Sequence, residues 1–109
     1  MNKQVVFSEE KFKSLPNSDN HQILATKKVS YLMQSSEEYN REFRDMFKQF
    51  FSCQWGEDIE NDEEDKAVNN NALKTGGRIL GVYYINDDKF FIITSPHWMQ
   101  TELMFAEEY

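Results

Sequence analysis

Cysteine is nearly absent from this sequence, since Cys53 is the only one in 109 residues. One cysteine cannot form an internal disulfide, and nothing else in the composition favours an oxidising compartment, so we expect a cytoplasmic protein. The sequence also lacks a run of about 18 apolar residues that could span a bilayer. Its first residues lack the apolar stretch of a signal peptide. We therefore expect no membrane partner.

The residues that build metal and catalytic sites are also few. His21, His97 and Cys53 are isolated from one another and lack the paired spacing of a zinc site. No Ser, His and acid form a recognised nucleophile motif, and the glycine pair at 76–77 lacks the Lys-Ser/Thr of a phosphate loop. The sequence therefore predicts a binding protein rather than an enzyme, with no cofactor and no structural metal.

Bases are fewer than acids, 12 against 19, and the net charge of −7 comes from one stretch. Residues 57–65 hold seven acids and no base, and removing these seven from the 19 leaves 12 acids against 12 bases. The seven are Glu57, Asp58, Glu60, Asp62, Glu63, Glu64 and Asp65. The sequence thus carries an acidic linker that continues into the start of a helix.

This acidic run has three interpretations. A solvated run is the first, because the helix dipole favours carboxylates at 62–65, although it does not explain the acids before them. A calcium loop is the second, but Glu63 stands at the sixth position, which requires Gly, and Asn69 at the twelfth, which requires Glu. The third is a basic partner surface, most readily the phosphate-binding groove of a nucleic-acid enzyme, for which spaced carboxylates imitate phosphates.

A second candidate contact lies at residues 95–99, where Pro96 interrupts strand pairing before Trp98 and Met99. An exposed Trp is a typical hot spot of protein interfaces, although a Trp that folds back under a sheet is equally ordinary. The candidate partner-binding residues are therefore Glu57, Asp58, Glu60, Asp62, Glu63, Glu64, Trp98 and Met99.

Direct nucleic-acid binding is disfavoured. Tyr83, Tyr84, Phe90 and Phe91 lie on predicted strands, where aromatic side chains can stack on bases. However, the Lys and Arg residues of the chain are scattered, whereas phosphate binding depends on clustered Lys and Arg. Core packing is the favoured role for these aromatic residues, and a protein with a basic nucleic-acid-binding surface is the expected partner.

Three helices are predicted in the middle of the chain. Thr26 can cap the first, over 27–33; Ser35 and Glu38 form a capping box for the second, which Gly56 ends. The second has an apolar face at intervals of three and four: Tyr39, Phe43, Met46, Phe47, Phe50 and Phe51. This face could fill a partner's groove, but a buried face is the commoner cause.

The third predicted helix starts at Asn61 or Asp62, runs to about Lys74 and stops at the glycine pair 76–77. Its thin apolar stripe is Ile59, Val68, Ala72 and Leu73. Five strands are predicted at 5–7, 22–25, 78–86, 89–94 and 101–106, with a tight turn at 86–88. Both alternating residue sets of 78–86 are apolar, which predicts a central strand covered on both faces.

These elements predict one α+β domain over residues 1–109, with an N-terminal extension at 1–20 and the acidic segment at 57–65. The expected architecture is a small three- to four-stranded antiparallel sheet packed against two or three helices. Its centre should be a three-stranded antiparallel core at 78–106, on which the long helix packs.

Three motifs resemble a family of short uncharacterised proteins found on plasmids, conjugative elements and phages. They are Trp55-Gly56-Glu57, the segment NALKTGGR at 71–78, and Ile92-Ile93-Thr94. The order and spacing match across 23–94 and again at 101–109. Family members usually carry a charged segment where this chain has 95–99, and residues 1–20 have no counterpart. The resemblance implies a mobile-element origin and supplies no activity or site residues.

Small acidic proteins of such elements include anti-CRISPR and anti-restriction inhibitors, which this chain resembles in size and charge. We therefore expect a protein that binds and inhibits a host nucleic-acid-targeting enzyme in the bacterial cytoplasm, most concretely an RNA-guided (Cas) nuclease, partly by nucleic-acid mimicry. One alternative is an anti-restriction or other regulatory protein-binding module. A metal-dependent nucleic-acid-processing enzyme is the alternative of another class, expected if the acids converge on one point instead of fanning outward.

Overall fold

The chain has an α+β fold, in which a mixed sheet packs against helices. The computed structural model describes residues 3–7, 22–96 and 100–109. Its strands are β1 (Lys3–Phe7), β2 (Gln22–Thr26), β3 (Ile79–Ile85), β4 (Asp88–Thr94) and β5 (Gln100–Phe105). Its helices are α1 (Lys27–Ser35), α2 (Glu37–Phe51), the single turn α3 (Glu57–Glu60) and α4 (Glu63–Thr75), and a 3-10 turn follows at Ala106–Glu108.

The sheet is mixed, whereas the sequence predicted a purely antiparallel one. In the described part of the chain the strand order is β1-β2-β5-β4-β3. The predicted antiparallel core β3-β4-β5 is confirmed, but β2 pairs with β5 in parallel. Between these two strands the chain passes through α1 to α4 and the β3–β4 hairpin, and such a long crossover returns the chain in its original direction.

The helix count also differs from the predicted two or three, because the described residues form four helices. The additional one is α3, which occupies the first part of the predicted acidic linker. Its four residues make one turn, closed by a hydrogen bond from the Glu60 amide to the Gly56 carbonyl (2.9 Å). So short a turn offers no apolar periodicity from which the sequence could have predicted it.

β3 lies at an edge of the sheet, not at its centre as predicted. Its outer edge is covered by the loop before α3 and by α4 instead of a strand: the Val82 amide donates to the Trp55 carbonyl (2.9 Å). The Asn69 side chain accepts from the Leu80 amide (3.1 Å) and donates to the Leu80 carbonyl (2.7 Å). Leu80 also shares a groove with Ile59, which explains why β3 is apolar on both faces. The chain itself thus supplies hydrogen-bond partners for the Val82 amide and for the Leu80 amide and carbonyl at this edge.

The predicted apolar face of α2 is buried at five of six positions, Tyr39 being partly buried. Phe43 packs edge-on against Phe90 (5.1 Å between ring centroids), and Phe50 packs edge-on against Trp55 (5.4 Å). These contacts join α2 to β4 and to the segment that precedes α3. The interpretation of this face as core, rather than as a partner's groove filler, is confirmed.

The ends of α2 are not where the sequence placed them. Ser36, rather than Ser35, caps its start by accepting from the Tyr39 amide (3.2 Å). Ser35 is still part of α1, so its backbone is already helical. After α2 ends, Cys53 takes the left-handed conformation (φ 63°) expected of a glycine. Gly56 instead precedes α3.

The other two long helices start as predicted. Thr26 caps α1 by accepting from the Val29 amide (3.4 Å), and Asp62 caps α4 by accepting from the Asp65 amide (3.0 Å). Gly76 ends α4 in the left-handed conformation. The predicted stripe of α4 was wrong at Val68, which is 60% exposed.

The residue after Val68, Asn69, is buried instead (3% exposed), together with the predicted Ala72. The edge of β3 needs the Asn69 amide, so a polar residue is buried and satisfied where an apolar one was expected. Among the residues that the structure describes, no helix is long and apolar enough to cross a membrane.

Candidate partner-binding surface

The seven clustered acids lie on two consecutive elements beside the edge of the sheet. Three are in α3, Asp62 caps α4, and Glu63, Glu64 and Asp65 form its first turn. All are exposed except Glu60, which is partly buried. The acids are therefore spread along a surface that begins at β3 and ends at the start of α4.

Buried residues hold this surface in place. Trp55 and Ile59 are both in the hydrophobic core, on either side of the first acids. Gly56 lies so close to β3 that a Cβ on it would overlap the Val82 carbonyl oxygen. Its backbone (φ 89°, ψ 160°) is one that only glycine adopts readily. α3 is thus anchored at both ends, so the backbone that carries its carboxylates has a fixed position.

Asp58 is tied to the sheet. Its carboxylate accepts from the Tyr84 hydroxyl (2.8 Å) and lies 3.8 Å from the Lys89 ammonium. The hydrogen bond from the hydroxyl to Asp58 raises the pKa of Tyr84, because it stabilises the neutral phenol. Both partners come from the β3–β4 hairpin, so Asp58 fixes α3 to that hairpin.

Glu60 and Asp62 also serve the fold. Glu60 accepts from the Trp55 amide (3.3 Å) and pairs with Lys66 (3.2 Å). Asp62 accepts from the Asp65 amide as the cap of α4. Together with Asp58, these acids have structural partners that account for their presence without any ligand.

The remaining four acids are different. The carboxylates of Glu57, Glu63, Glu64 and Asp65 are exposed, and no described residue forms a hydrogen bond or ion pair with them. They are therefore exposed carboxylates on an anchored backbone, available to an external partner.

Two acids of α2 border the same surface, and the sequence analysis did not select them. Glu42 and Asp45 line a groove of about 300 Å³ together with Glu57 and Tyr84. Asp45 also accepts from the Gln49 side chain (3.3 Å). Their spacing of three residues could have placed them on one side of the helix. Their position beside Glu57 depends on the packing of α2 on β3, which no local pattern reveals.

The acids fan outward instead of converging. Within the described ranges, no group of three His, Cys, Asp or Glu side chains is placed to hold a metal ion. The arrangement that the metal-dependent alternative requires is therefore not found among these residues. Trp98 and Met99, the other candidate contacts, lie outside the described residues, as does His97.

This chain matches no protein-family model, no curated protein and no solved structure. The resemblance to mobile-element proteins thus stays a prediction. Any function has to be inferred from the acidic surface of α3 and α4.

Proposed function

We propose that this chain is a small acidic protein that binds and inhibits a host nucleic-acid-targeting enzyme, most concretely an RNA-guided nuclease. Its carboxylates would occupy positions where the enzyme holds phosphates. The observation that carries the proposal is the set of four exposed acids that lack a partner in the described chain, Glu57, Glu63, Glu64 and Asp65. In the described part of the chain no base pairs with them, although three neighbouring acids have structural partners.

The clustered acids lower the stability of the free protein. Like charges that lie close together repel, and the cap of α4 needs only Asp62. The helix dipole offsets some of the cost for the first turn of α4, but not for Glu57, which belongs to α3. A basic partner surface offsets the repulsion among the acids and attracts them. This attraction speeds association and selects the partner.

A rigid scaffold strengthens this argument. Charges on a mobile tail lose backbone and side-chain freedom when they bind, whereas charges on an anchored turn lose only that of their side chains. Trp55, Gly56 and Ile59 fix α3 against β3, and Asp62 caps α4, so the backbone that carries the acids is pre-organised. An anti-restriction inhibitor would use the same surface, and the choice of enzyme in the assay separates the two.

The test removes charge without touching the fold. Glu63→Gln/Glu64→Gln keeps side-chain size and removes two exposed charges, and adding Glu57→Gln removes a third. Asp58, Glu60 and Asp62 are left intact because their substitution would disturb the scaffold. We expect at least about tenfold weaker inhibition of DNA cleavage by a purified RNA-guided nuclease, which corresponds to a loss of about 1.4 kcal/mol.

The matched control is Glu37→Gln/Glu38→Gln. Glu37 and Glu38 are the first two residues of α2, as Glu63 and Glu64 are of α4, and all four are exposed. The control therefore removes the same charge and the same dipole interaction elsewhere on the molecule. Circular dichroism checks that each variant is folded. Equal loss in both doubles would contradict a specific acidic contact, and no inhibition of several RNA-guided and restriction nucleases by the unmodified protein would contradict the proposed function.

A further inference from the structure

Three aromatic side chains form a strip on the face of the sheet opposite α2: Tyr84, Phe91 and Tyr109. Tyr84 and Phe91 share this face because Tyr84 pairs with Lys89, two residues before Phe91 on the same strand. The Tyr109 ring meets Phe91 edge-on at 5.9 Å. Tyr84 is 48% exposed and Tyr109 is 72% exposed, so the two ends of the strip face solvent.

Cations of the chain itself already lie on this strip. The Arg78 guanidinium is 5.8 Å from the centre of the Tyr109 ring and donates to the Tyr109 hydroxyl (3.0 Å). The Lys89 ammonium is 6.0 Å from the centre of the Phe91 ring. Both distances are within the range of a cation–π contact. The strip is therefore shaped to accept cationic side chains on its rings.

Acids border the strip as well as its own two cations. Asp58 bonds the Tyr84 hydroxyl, which makes the strip continuous with the acidic surface, and Asp87 lies exposed in the turn beside Tyr84 and Lys89. Lys89 is itself paired with Asp58. The acids of α3 begin beside Tyr84, so a basic segment that reaches the strip also meets carboxylates, which attract cations and oppose phosphates.

We propose that the aromatic strip binds an arginine-rich segment of the partner protein, whose guanidinium groups stack on Tyr84 and Tyr109 while neighbouring bases meet the acids of α3. This inference rests on the proposed function and specifies the chemistry of the partner. Arginine fits better than lysine, because its planar group stacks on an aromatic face and is more weakly hydrated. Tyr and Arg are also the residue types on which interface affinity most often depends.

The experiment titrates the protein with a synthetic arginine–glycine repeat peptide, its lysine–glycine counterpart and a single-stranded oligouridylate. Ring-proton NMR shifts report on Tyr84, Phe91 and Tyr109. We expect the arginine peptide to bind most tightly and to shift all three rings. Tyr84→Ala and Tyr109→Ala should each weaken its binding roughly two- to fivefold, the range of an exposed cation–π contact.

Two controls separate the rings from other effects. Tyr84→Phe and Tyr109→Phe keep the rings and lose the hydroxyl hydrogen bonds with Asp58 and Arg78, so each should bind the arginine peptide more tightly than the corresponding Ala variant. Tyr31→Ala removes a tyrosine that is 68% exposed on α1 and should change nothing, because no ring contact between Tyr31 and the strip is found in the described residues. The inference would be overturned if Tyr84→Ala and Tyr109→Ala bound the arginine peptide as tightly as the unmodified protein does. It would also be overturned if the unmodified protein bound the oligonucleotide more tightly than the arginine peptide.

The nuclease assay distinguishes this inference from the proposed function. If Tyr84→Ala and Tyr109→Ala inhibit as well as the unmodified protein, the inference falls while the proposed function stands. If the strip binds the arginine peptide as expected but no nuclease is inhibited, the proposed function falls and the strip remains a site for basic segments.

Discussion

Two glycines illustrate how differently the same residue type can serve this fold. Gly76 ends α4 in the left-handed conformation (φ 78°), and a Cβ added there would meet open space. Gly56 combines a positive φ with close contact to the Val82 carbonyl. A side chain at Gly56 would therefore push the start of α3 away from β3. The position of the acidic surface depends on this one missing side chain.

We expect Gly56→Ala to destabilise the protein by about 3 kcal/mol or more, because backbone strain of about 1–3 kcal/mol adds to the overlap with Val82. Gly76→Ala is the matched control and should cost only about 1–2 kcal/mol, the penalty of the left-handed conformation alone. Urea unfolding measures both free energies. Similar costs for the two variants would mean that the strand and α3 can move apart without loss.

At the scale of elements, α2 contributes four of the eight aromatic residues in the core of the described chain, more than any other element. Its inner face carries Phe43, Phe47 and Phe50, all of which are almost completely buried. Phe47 stacks on Phe51 one turn later (6.1 Å between centroids). The opposite face of α2 is charged and exposed, so the helix is held by one apolar side only.

Phe47→Ala should reduce the free energy of unfolding by roughly 3–5 kcal/mol, as expected for truncating a buried aromatic side chain. Arg41→Ala, on the exposed face of the same helix, should change it by less than about 0.5 kcal/mol. Thermal and urea unfolding provide the comparison. An unchanged melting temperature in Phe47→Ala would mean that this face contributes little to the core.

The elements that the sequence predicted well are those with local signals. The caps Thr26 and Asp62 bond an amide three residues ahead, so one turn of sequence is enough to recognise them. The parallel pairing of β2 with β5 joins residues far apart in the chain and has no such signal. The edge position of β3 was missed because the Asn69 side chain bonds the edge where a neighbouring strand would be. An Asn in a helix is normally expected to be exposed.

The candidate surface was predicted to a similar extent. The cluster of acids is evident from composition, and their exposure on α4 follows from the helix that Asp62 starts. The division between acids with structural partners and acids without them was not predictable. Asp58 bonds Tyr84, 26 residues later, so its role depends on how the hairpin packs against α3.

For the whole molecule, the main electrostatic feature is the uneven distribution of charge. The three ion pairs found in the described residues, Lys28–Glu107, Lys66–Glu60 and Lys89–Asp58, are all substantially exposed, so each contributes at most about 1 kcal/mol. The clustered acids repel one another over a few residues of chain. Adding salt weakens both effects, and the repulsion among seven acids should be the larger one.

We therefore expect the melting temperature to rise when salt is raised from about 0.01 M to about 0.15 M, because the Debye length falls from about 30 Å to about 8 Å. Glu63→Gln/Glu64→Gln should gain less from salt than the unmodified protein, since part of the repulsion is already gone. Glu37→Gln/Glu38→Gln loses the same number of charges and the same dipole interaction, but outside the cluster, so it should keep most of the gain. Differential scanning calorimetry at the two salt concentrations gives these shifts. If both doubles lost the same part of the gain, the net charge of −7 rather than its clustering would set the response to salt.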